Sequence, residues 1–292
     1  MQGNLRHLAE EIRRDIEELL SRVGLLCRVF ARAKDTHSLE LKLNRDSGKY
    51  SNGGKLVQDS IGIRVALYFS EDVEVVKQLL CSKFEFDAAS STIDKPNNDQ
   101  FAVSRYNLIY KIPDVNRPDM FKAVNGSPID LTFEVQLRSI LSEGWHEVEH
   151  DLRYKRKSNW VDHDDLSRTL NGIMATLETS EWLMQKLLDD LAHRHYKKGN
   201  WNGMLQNKLR MRVKSEISNE LVDIFNSNSN FAKEIFRIDR IKVIFALSKL
   251  RPRVPVTFDN VIYIWNYFGP KDENVLRNTP ELIKAALSDL QT

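Results

Sequence analysis

Cysteines are scarce in this sequence and long hydrophobic runs are missing. Only two cysteines, Cys27 and Cys81, occur in 292 residues, and both stand in apolar segments, so we expect buried, reduced thiols and no disulfide framework. No stretch approaches the roughly 20 apolar residues that a membrane-spanning helix needs. Residues 1–14 are polar and amphipathic and have no signal-peptide core. We therefore expect a cytoplasmic protein without membrane contact.

An excess of charge is also missing. The formal net charge is +2 and the hydrophobic content is 41%, which is globular, so bulk charge argues neither for nor against a polyanionic partner. The length allows one large domain or two medium ones. Because residues 197–203 contain two glycines, we predict a boundary there, with one domain at 1–198 and a mostly helical accessory domain at 199–292.

The periodicity of apolar residues predicts both helices and strands. Helical spacing occurs at residues 3–23, 38–44, 73–80, 140–155, from 164 onward, and near 204–226, 231–249 and 280–290. Strand patterns occur at residues 27–33, 61–69, 106–112 and 131–137. Turn-forming residues predict a loop at 87–100 and a loop or hairpin connection at 113–128. A β-rich patch covers 254–268.

The strand predicted at 131–137 has one strongly polar face. Alternation places Glu134, Gln136 and Arg138 on that face and apolar residues on the other. A carboxylate, an amide and a guanidinium in a row suit a metal-bound polyphosphate better than a core. An amphipathic strand with a solvated face is the alternative for this pattern taken alone.

Basic residues leave the strand at 27–33. Arg32 and Lys34 share a face of it, and Lys42 lies one helical turn beyond Ser38, which can cap a short helix. Three cations near a helix N-terminus suit a triphosphate, since backbone N–H groups there also face the anion. A solvated basic loop is the alternative.

An acidic residue, Asp59, stands at the entrance of the strand at 61–69. It is followed by Gly62, which permits close backbone approach. Asp59 could be a simple turn residue. Paired in space with Glu134, it would give two carboxylates for Mg²⁺, a hard ion that prefers oxygen ligands and substrate phosphates.

In order and spacing, these segments resemble the synthetase domain of the RelA/SpoT family over about residues 25–195. The motifs are R-x-K-x-x-x-S-x-x-x-K, D-x-x-G-I-R, a tyrosine-containing strand, E-V-Q-L-R and W-x-E-x-E-H-x-x-x-Y-K. The residues that carry them are Arg32, Lys34, Ser38, Lys42, Asp59, Gly62, Arg64, Tyr106, Glu134, Gln136, Arg138, Trp145, Glu147, Glu149, His150, Tyr154 and Lys155.

The resemblance implies an α/β (α+β) fold, a nucleotidyltransferase-like mixed β-sheet flanked by helices, here followed by a mostly helical C-terminal region. It also implies a transferase of the GTP diphosphokinase type, which moves pyrophosphate from ATP to a ribose 3′-hydroxyl and releases AMP. GDP or GTP as acceptor would give a (p)ppGpp-type alarmone.

The resemblance also implies roles for individual residues. Asp59 and Glu134 would be the catalytic pair and the Mg²⁺ ligands, and Glu134 would also draw the proton from the attacking hydroxyl. The implied ATP-binding residues are Arg32, Lys34, Ser38, Lys42 and Arg64, of which Arg64 braces Asp59 or a phosphate. The implied acceptor-binding residues are Arg105, Tyr106, Tyr110, Gln136 and Arg138.

One segment departs from the family. Alarmone-making members carry G-Y-x-S-x-H, and the matching stretch here is R-Y-N-L-I-Y at residues 105–110. Tyr106 is the predicted stacking platform, since an aromatic face binds any base. The acceptor remains open among a guanine nucleotide held differently, a tRNA 3′ end, which Arg105 and Tyr110 would suit, and a degenerate site. A non-catalytic nucleotide- or RNA-binding module is a further alternative.

The regions outside the synthetase motifs carry weaker expectations. The segment before Arg32 is too short for the hydrolase domain of larger members, so we expect a synthetase-only chain. Its C-terminal region would neutralise the active site, bind an antitoxin or other regulatory partner, or mediate homo-oligomerisation. A stress-response, toxin or phage-defence role is compatible with this organisation.

A zinc motif competes with the family interpretation. Residues 146–150 read H-E-x-x-H, which on a helix places His146 and His150 on one face for Zn²⁺ with Glu147 as base. No third ligand stands out, and the family helix already accounts for these residues. A metalloprotease is therefore the less favoured alternative.

Overall fold

A computed structural model of the chain describes residues 2–45, 50, 54–94, 105–124, 126, 128–250 and 253–290. The description omits the side chains of Gln2, Thr36, Ser38, Leu41, Arg45, Arg105, Phe121 and Ala123. Contacts divide the chain into two compact units, residues 1–18 with 27–181 and residues 19–26 with 182–292. This contact boundary precedes the predicted boundary at residue 198.

The first unit contains a sheet and its helices. Their order is α1 Gln2–Arg22, β1 Cys27–Ala33, α2 Thr36–Arg45, β2 Ile61–Leu67, α3 Asp72–Lys83, β3 Phe86–Asp94, β4 Arg105–Lys111, α4 Arg117–Val124, β5 Thr132–Ser139 and α5 Ile140–Val148. Short 3₁₀ turns occur at Asp114–Asn116 and Lys157–Trp160, and a π-helical turn at Glu149–Tyr154. α1 ends in the second unit, and α6 Asp164–Lys197 begins in the first and ends in the second.

In the described part of the second unit, all regular secondary structure is helical. Its further helices are α7 Trp201–Leu209, α8 Asn219–Ser227, α9 Ser229–Phe236, α10 Arg240–Lys249, α11 Phe258–Phe268, α12 Glu273–Asn278 and α13 Glu281–Ser288. Asparagine, threonine or aspartate side chains cap α7, α9, α10, α11 and α12 by accepting backbone N–H bonds. Among the described residues, no helix combines the length and apolarity needed to cross a membrane.

The sheet has the strand order β1-β2-β5-β4-β3. β2 and β5 run parallel, and the other neighbouring pairs are antiparallel, so the predicted mixed sheet flanked by helices is confirmed. One face carries the core, in which the rings of Phe84, Tyr110 and Phe133 lie with centroids 5.2–6.1 Å apart. The register places Arg32, Gly62 and Glu134 in one row on the opposite face.

Three predicted elements are wrong. The loop predicted at 87–100 contains β3, which lies at the edge of the sheet formed by the described strands and can keep polar residues there. The connection predicted at 113–128 contains α4, where Pro118 stands in the first turn that tolerates proline. The β-rich patch at 254–268 contains α11, whose β-branched residues Val261, Ile262 and Ile264 are fully buried. Burial there overrides strand propensity.

The cysteine prediction is confirmed only in part. Both cysteines are free thiols. Cys27 is half-buried, whereas Cys81 is exposed near the end of α3. The prediction of burial is therefore wrong for Cys81, whose neighbours Leu79 and Leu80 face the core instead.

Candidate functional site

A cleft of about 470 Å³ lies over the polar face of the sheet. β1, β2 and β5 supply its floor, and the helical segment after β5 supplies one wall. Most of the predicted site residues line it, namely Arg32, Lys34, Asp59, Arg64, Glu134, Gln136 and Arg138. The alternation that predicted a polar face on β5 therefore also locates the cleft.

Asp59 is held by two lysines. Its carboxylate pairs with Lys34 Nζ, and Lys42 Nζ donates to Oδ1 at 2.8 Å and to Oδ2 at 2.9 Å. Burial would raise the pKa of Asp59, but the two ammonium groups outweigh it and hold that pKa below its ordinary value. Burial also lowers the pKa of Lys34. For Lys42, Asp59 outweighs burial and raises the pKa.

Glu134 has the opposite electrostatic character. Burial, and then the negative charge of Asp59, raise its pKa above the ordinary value. Gln136 Nε2 donates to Glu134 Oε2 at 3.0 Å, which partly offsets this effect. Because Asp59 contributes to the shift, the two carboxylates lie close enough to interact. A glutamate of raised basicity in a cleft is suited to accept a proton.

The carboxylate pair fits the protein's share of a magnesium–nucleotide site. Mg²⁺ usually keeps several waters and is held by one or two carboxylates together with substrate phosphates. Asp59 and Glu134 offer such a pair. No cluster of three or more histidine, cysteine, aspartate or glutamate residues suited to a metal occurs in the described part of the chain. The donor set therefore fits a metal completed by its substrate and not an all-protein cage.

Two arginines share one glutamate at the edge of the cleft. Arg64 Nη1 lies 2.6 Å from Glu143 Oε1 and 2.7 Å from Glu147 Oε1. Arg138 Nη1 donates to Glu143 Oε2 at 3.1 Å. Burial lowers the pKa of Arg138, and Glu143 counters this. Arg64 thus braces α5, whereas the sequence predicted a contact with Asp59 or a phosphate.

Two predicted acceptor-binding residues lie away from the cleft. Tyr106 pairs with Leu137 and Tyr110 with Phe133 in the sheet register, which places both tyrosines on the core face. Tyr110 is fully buried and stacks on Phe133 at 5.6 Å, and Tyr106 is only 8% exposed. These tyrosines therefore build the core, and their prediction as acceptor-binding residues is corrected. The side chains of Ser38 and Arg105 lie outside the described residues.

Comparison with known proteins agrees with this geometry. Residues 31–159 match the family model of a region found in RelA and SpoT proteins. Residues 31–159 thus resemble a RelA/SpoT region. The matched segment contains the described site residues from Arg32 to Lys155, so the resemblance inferred from the motifs is confirmed.

Individual relatives match the RelA/SpoT region at low identity. GTP pyrophosphokinase YjbM of Bacillus subtilis is 25% identical over 103 residues, which cover 35% of this chain and 45% of that protein. The chain thus spans less than half the length of this relative. The crystal structure of smu.1046c from Streptococcus mutans shares the fold, with a TM-score of 0.50, 20% identity and coverage of 64% of this chain and 93% of that one. For small alarmone synthetase 1 of Bacillus subtilis the TM-score is 0.49, at 18% identity and 63% and 92% coverage.

The rival zinc motif gains no support within the RelA/SpoT region. α5 ends at Val148, and His150 belongs to the π-helical turn. His146 is buried, whereas His150 stacks on Tyr154 with centroids 5.8 Å apart. Glu147, the base of the zinc interpretation, pairs with Arg64.

Sequence reasoning missed two side chains of this cleft, Glu143 and Phe30. Glu143 pairs with both arginines, and its spacing of four from Glu147 on one helix was the available signal. Phe30 lines the cleft, as does Lys155 of the last sequence motif. Phe30 alternates with Arg32 along β1, so the strand pattern already placed it on the same face.

Proposed function

We propose that this chain is an ATP-dependent pyrophosphokinase, a RelA/SpoT-type transferase that moves pyrophosphate from ATP to the 3′-hydroxyl of a nucleotide acceptor. The observation that carries the proposal is the pairing of two unlike carboxylates in one cationic cleft. Asp59 is kept ionised by Lys34 and Lys42, and Glu134 is made more basic by burial and by Asp59.

The proposed step is a single displacement. The acceptor 3′-oxygen attacks the β-phosphorus of ATP, the bond between that phosphorus and the oxygen bridging to the α-phosphorus breaks, and AMP leaves. Glu134 takes the proton of the attacking hydroxyl. Such a reaction depends on positioning and charge neutralisation more than on covalent help.

The lysines around Asp59 are the proposed phosphate ligands. Each ammonium group has three donors, so Lys34 and Lys42 can turn from Asp59 to an arriving triphosphate, with Arg32 adding a bidentate fork. Mg²⁺ held by Asp59 and Glu134 would neutralise charge on the transferred phosphates. Asp59 would exchange its lysine partners for the metal as the lysines move to the phosphates.

GDP or GTP is the proposed acceptor, which gives a (p)ppGpp-type alarmone. The name of the matching relative, GTP pyrophosphokinase, supports this choice. A tRNA 3′ end is the second acceptor, because residues 105–110 depart from the alarmone-making motif. A stress-response role would follow from the first acceptor, and a toxin or phage-defence role from the second.

Label transfer tests the proposal. ATP labelled on its γ-phosphate is incubated separately with GDP, GTP, ATP and bulk tRNA, and the products are resolved by thin-layer chromatography or gel. We expect label on GDP or GTP with the wild-type chain and none with Glu134→Gln. Label on tRNA alone would replace the proposed acceptor. Absence of transfer to every acceptor would contradict the proposal and favour a binding module.

A further inference from the structure

A cavity of about 400 Å³ lies among α11, α12 and α13 of the second unit. This volume is within the range of about 300–1,000 Å³ that small-molecule sites occupy. Two of its lining residues, Thr279 and Leu287, are buried, so the cavity reaches into the packed part of the unit. None of its lining residues belongs to the five sequence motifs or to the sheet cleft. The proposed function therefore makes no use of this cavity.

Tyr263 lines the cavity and brings a buried hydroxyl to it. The residue is 8% exposed, and no hydrogen bond within the described part of the chain reaches its hydroxyl. Buried hydroxyls are nearly always hydrogen-bonded, because their desolvation without a partner is unfavourable. Burial, and then the negative charges of Asp259 and Glu220, raise the pKa of Tyr263, which keeps the phenol protonated. The hydroxyl is therefore able to donate to a ligand.

The cavity also offers a flat aromatic surface. Tyr263 and Tyr267 stand four residues apart and so share one face of α11. Among the described aromatic rings, Tyr267 meets only Phe268, in a T-shaped arrangement with centroids 5.4 Å apart. The apolar side chains of Leu276 and Leu287 complete this part of the lining. Such a surface suits a ligand with a planar aromatic ring.

Two cations, Arg277 and Lys284, give the same cavity a positive edge. Arg277 Nη2 lies 3.3 Å from Glu273 Oε2, and Lys284 Nζ lies 2.7 Å from Glu281 Oε1. Both glutamates are more than 80% exposed, and such surface pairs contribute little free energy. Neither glutamate lines the cavity, and none of the described lining residues is acidic. Two cations in this setting suit a phosphate group.

We propose that this cavity binds a nucleoside monophosphate, with its base against Tyr263 and Tyr267 and its phosphate at Arg277 and Lys284. Aromatic rings stack on the face of any base, and the guanidinium and ammonium groups supply the donors for the phosphate oxygens. The Tyr263 hydroxyl donates to an acceptor atom of the base or the ribose. This inference goes beyond the proposed function, because the site lies in the accessory region and takes no part in the transfer.

Equilibrium binding to the full chain tests the site. AMP, GMP, CMP and UMP are titrated into wild type by calorimetry, and the tightest binder and its nucleoside are then titrated into three variants. Tyr267→Ala should raise the Kd about tenfold for both ligands, because both carry the base. Lys284→Met should raise the Kd about tenfold for the nucleotide alone.

Tyr263→Phe separates a binding role from a structural one. It removes only the hydroxyl, so the Kd should rise about fivefold, while the melting temperature stays the same or increases. A lower melting temperature would show that the hydroxyl is bonded within the fold and would overturn the inference.

Lys242→Met is the matched control for Lys284→Met. Lys242 is exposed, pairs with Asp239 three residues before it as Lys284 pairs with Glu281, and does not line the cavity. Its replacement should leave every Kd unchanged, and a loss equal to that of Lys284→Met would contradict the proposed phosphate contact.

Lys34→Met distinguishes this cavity from the sheet cleft. Binding that disappears in Lys34→Met but persists in Tyr267→Ala and Lys284→Met would belong to the sheet cleft and would overturn the inference. A wild-type chain that binds none of the four nucleotides would overturn it as well. Because these titrations need no turnover and the label-transfer assay needs no accessory site, failure of either proposal leaves the other standing.

Discussion

At the scale of single residues, Glu134 determines how the cleft responds to pH. Its ionised form is the proposed proton acceptor, and burial and Asp59 raise its pKa. Activity should therefore fall as the pH drops through a value above the ordinary glutamate range. Lys34 lowers the pKa of both carboxylates. Replacing Lys34 by Met should thus move the acid limb of kcat/KM to higher pH, and Lys122→Met, at an exposed site, should not.

Initial rates measured at each pH for wild type, Lys34→Met and Lys122→Met give the three pH profiles. An acid limb in the ordinary glutamate range, or one that Lys34→Met leaves in place, would contradict the assignment of Glu134. The comparison remains informative even if Lys34→Met weakens ATP binding. It uses the pH at which kcat/KM falls and not the magnitude of kcat/KM.

Replacing Glu134 by Gln should reduce kcat about 10²–10⁴-fold, the usual contribution of a positioned proton acceptor. The same change should stabilise the fold near pH 7, because the native site no longer buries a carboxylate charge. The folded-state pKa of Glu134 is raised, so the folded chain gains a proton more readily than the unfolded chain. The stability difference between the variant and wild type should accordingly shrink as the pH falls through the raised pKa.

Thermal unfolding at several pH values measures this difference. If Glu134→Gln were less stable than wild type at pH 7, the contacts of the ionised Glu134 carboxylate would outweigh the cost of burying its charge, and the expectation would be wrong. The contribution of Asp59 to folding stability has the opposite sign. Its folded-state pKa is depressed, so its ionised form stabilises the fold above its unfolded pKa, and this stability is lost as the pH falls through the folded pKa.

The two tyrosines provide a test of the corrected assignment. Tyr106→Phe and Tyr110→Phe keep the rings in the core, so the acceptor KM should stay within about twofold, well below the effect of losing a base contact. Tyr110→Ala should instead cost about 3–5 kcal/mol of folding free energy, as for other large core truncations. A large rise in acceptor KM for either phenylalanine variant, with unchanged stability, would restore the original prediction.

The sequence placed individual residues correctly where the alternation within a single strand was enough to decide which face of the sheet a side chain occupies. Glu134, Gln136 and Arg138 share the cleft face as predicted. Tyr106 and Tyr110 share a face too, but which face depends on the register of β4 against β5. That register is set by packing between strands distant in sequence, so no local pattern reveals it.

At the scale of elements, the junction of β5 and α5 orders the cleft wall. Ser139 ends β5 and caps α5 by accepting from the backbone N–H of Ser142 at 3.1 Å. Ser139 also donates to the buried Glu181. The first turn of α5 is thereby fixed, and Glu143 in that turn reaches both arginines of the cleft edge.

Glu143→Gln should therefore destabilise the chain by about 2–4 kcal/mol, because it leaves partly buried guanidinium charges without their shared partner. Glu143 is 14% exposed, whereas Glu147 is 50% exposed. Glu147→Gln is the matched control and should cost less than about 1 kcal/mol. Urea unfolding measures both, and equal midpoints for the two variants would show that Glu143 does not hold the arginines.

Helices and strands were predictable where pattern and burial agree. The alternation in β5 and the helical spacing in α1 are such cases. β3 and α11 could not be predicted in this way. A strand at the edge of a sheet can have polar residues, and a buried helix can have β-branched residues. In β3 and in α11, contacts with the rest of the compact unit override the local secondary-structure propensity.

At the scale of the whole molecule, residues 19–26 belong to the same compact unit as residues 182–292. Gly24 O accepts from Arg212 N at 2.8 Å, and Leu20, Val23 and Leu25 are at most 1% exposed. An added Cβ at Gly24 would meet Val256 at 3.1 Å, and its φ is +74°. The chain between α1 and β1 is therefore built into the second unit.

A chain that stops at Lys198 should accordingly be much less stable than the full chain, since it exposes these apolar residues at about 1.5–3 kcal/mol each. Thermal unfolding and size-exclusion chromatography of the two chains measure the effect. Equal melting temperatures would show that residues 1–198 form an independent domain, as the sequence predicted. The proposed roles of the C-terminal region in regulation, antitoxin binding or homo-oligomerisation are best tested in the full chain for this reason.

The most direct test of the account is the stoichiometry of transfer. ATP carrying one label on adenine and another on the γ-phosphate is reacted with GDP or GTP, and AMP and labelled acceptor are counted together. The account predicts one AMP for each pyrophosphorylated acceptor, with both products lost in Glu134→Gln. Formation of ADP in place of AMP, or an undiminished yield from Glu134→Gln, would contradict it.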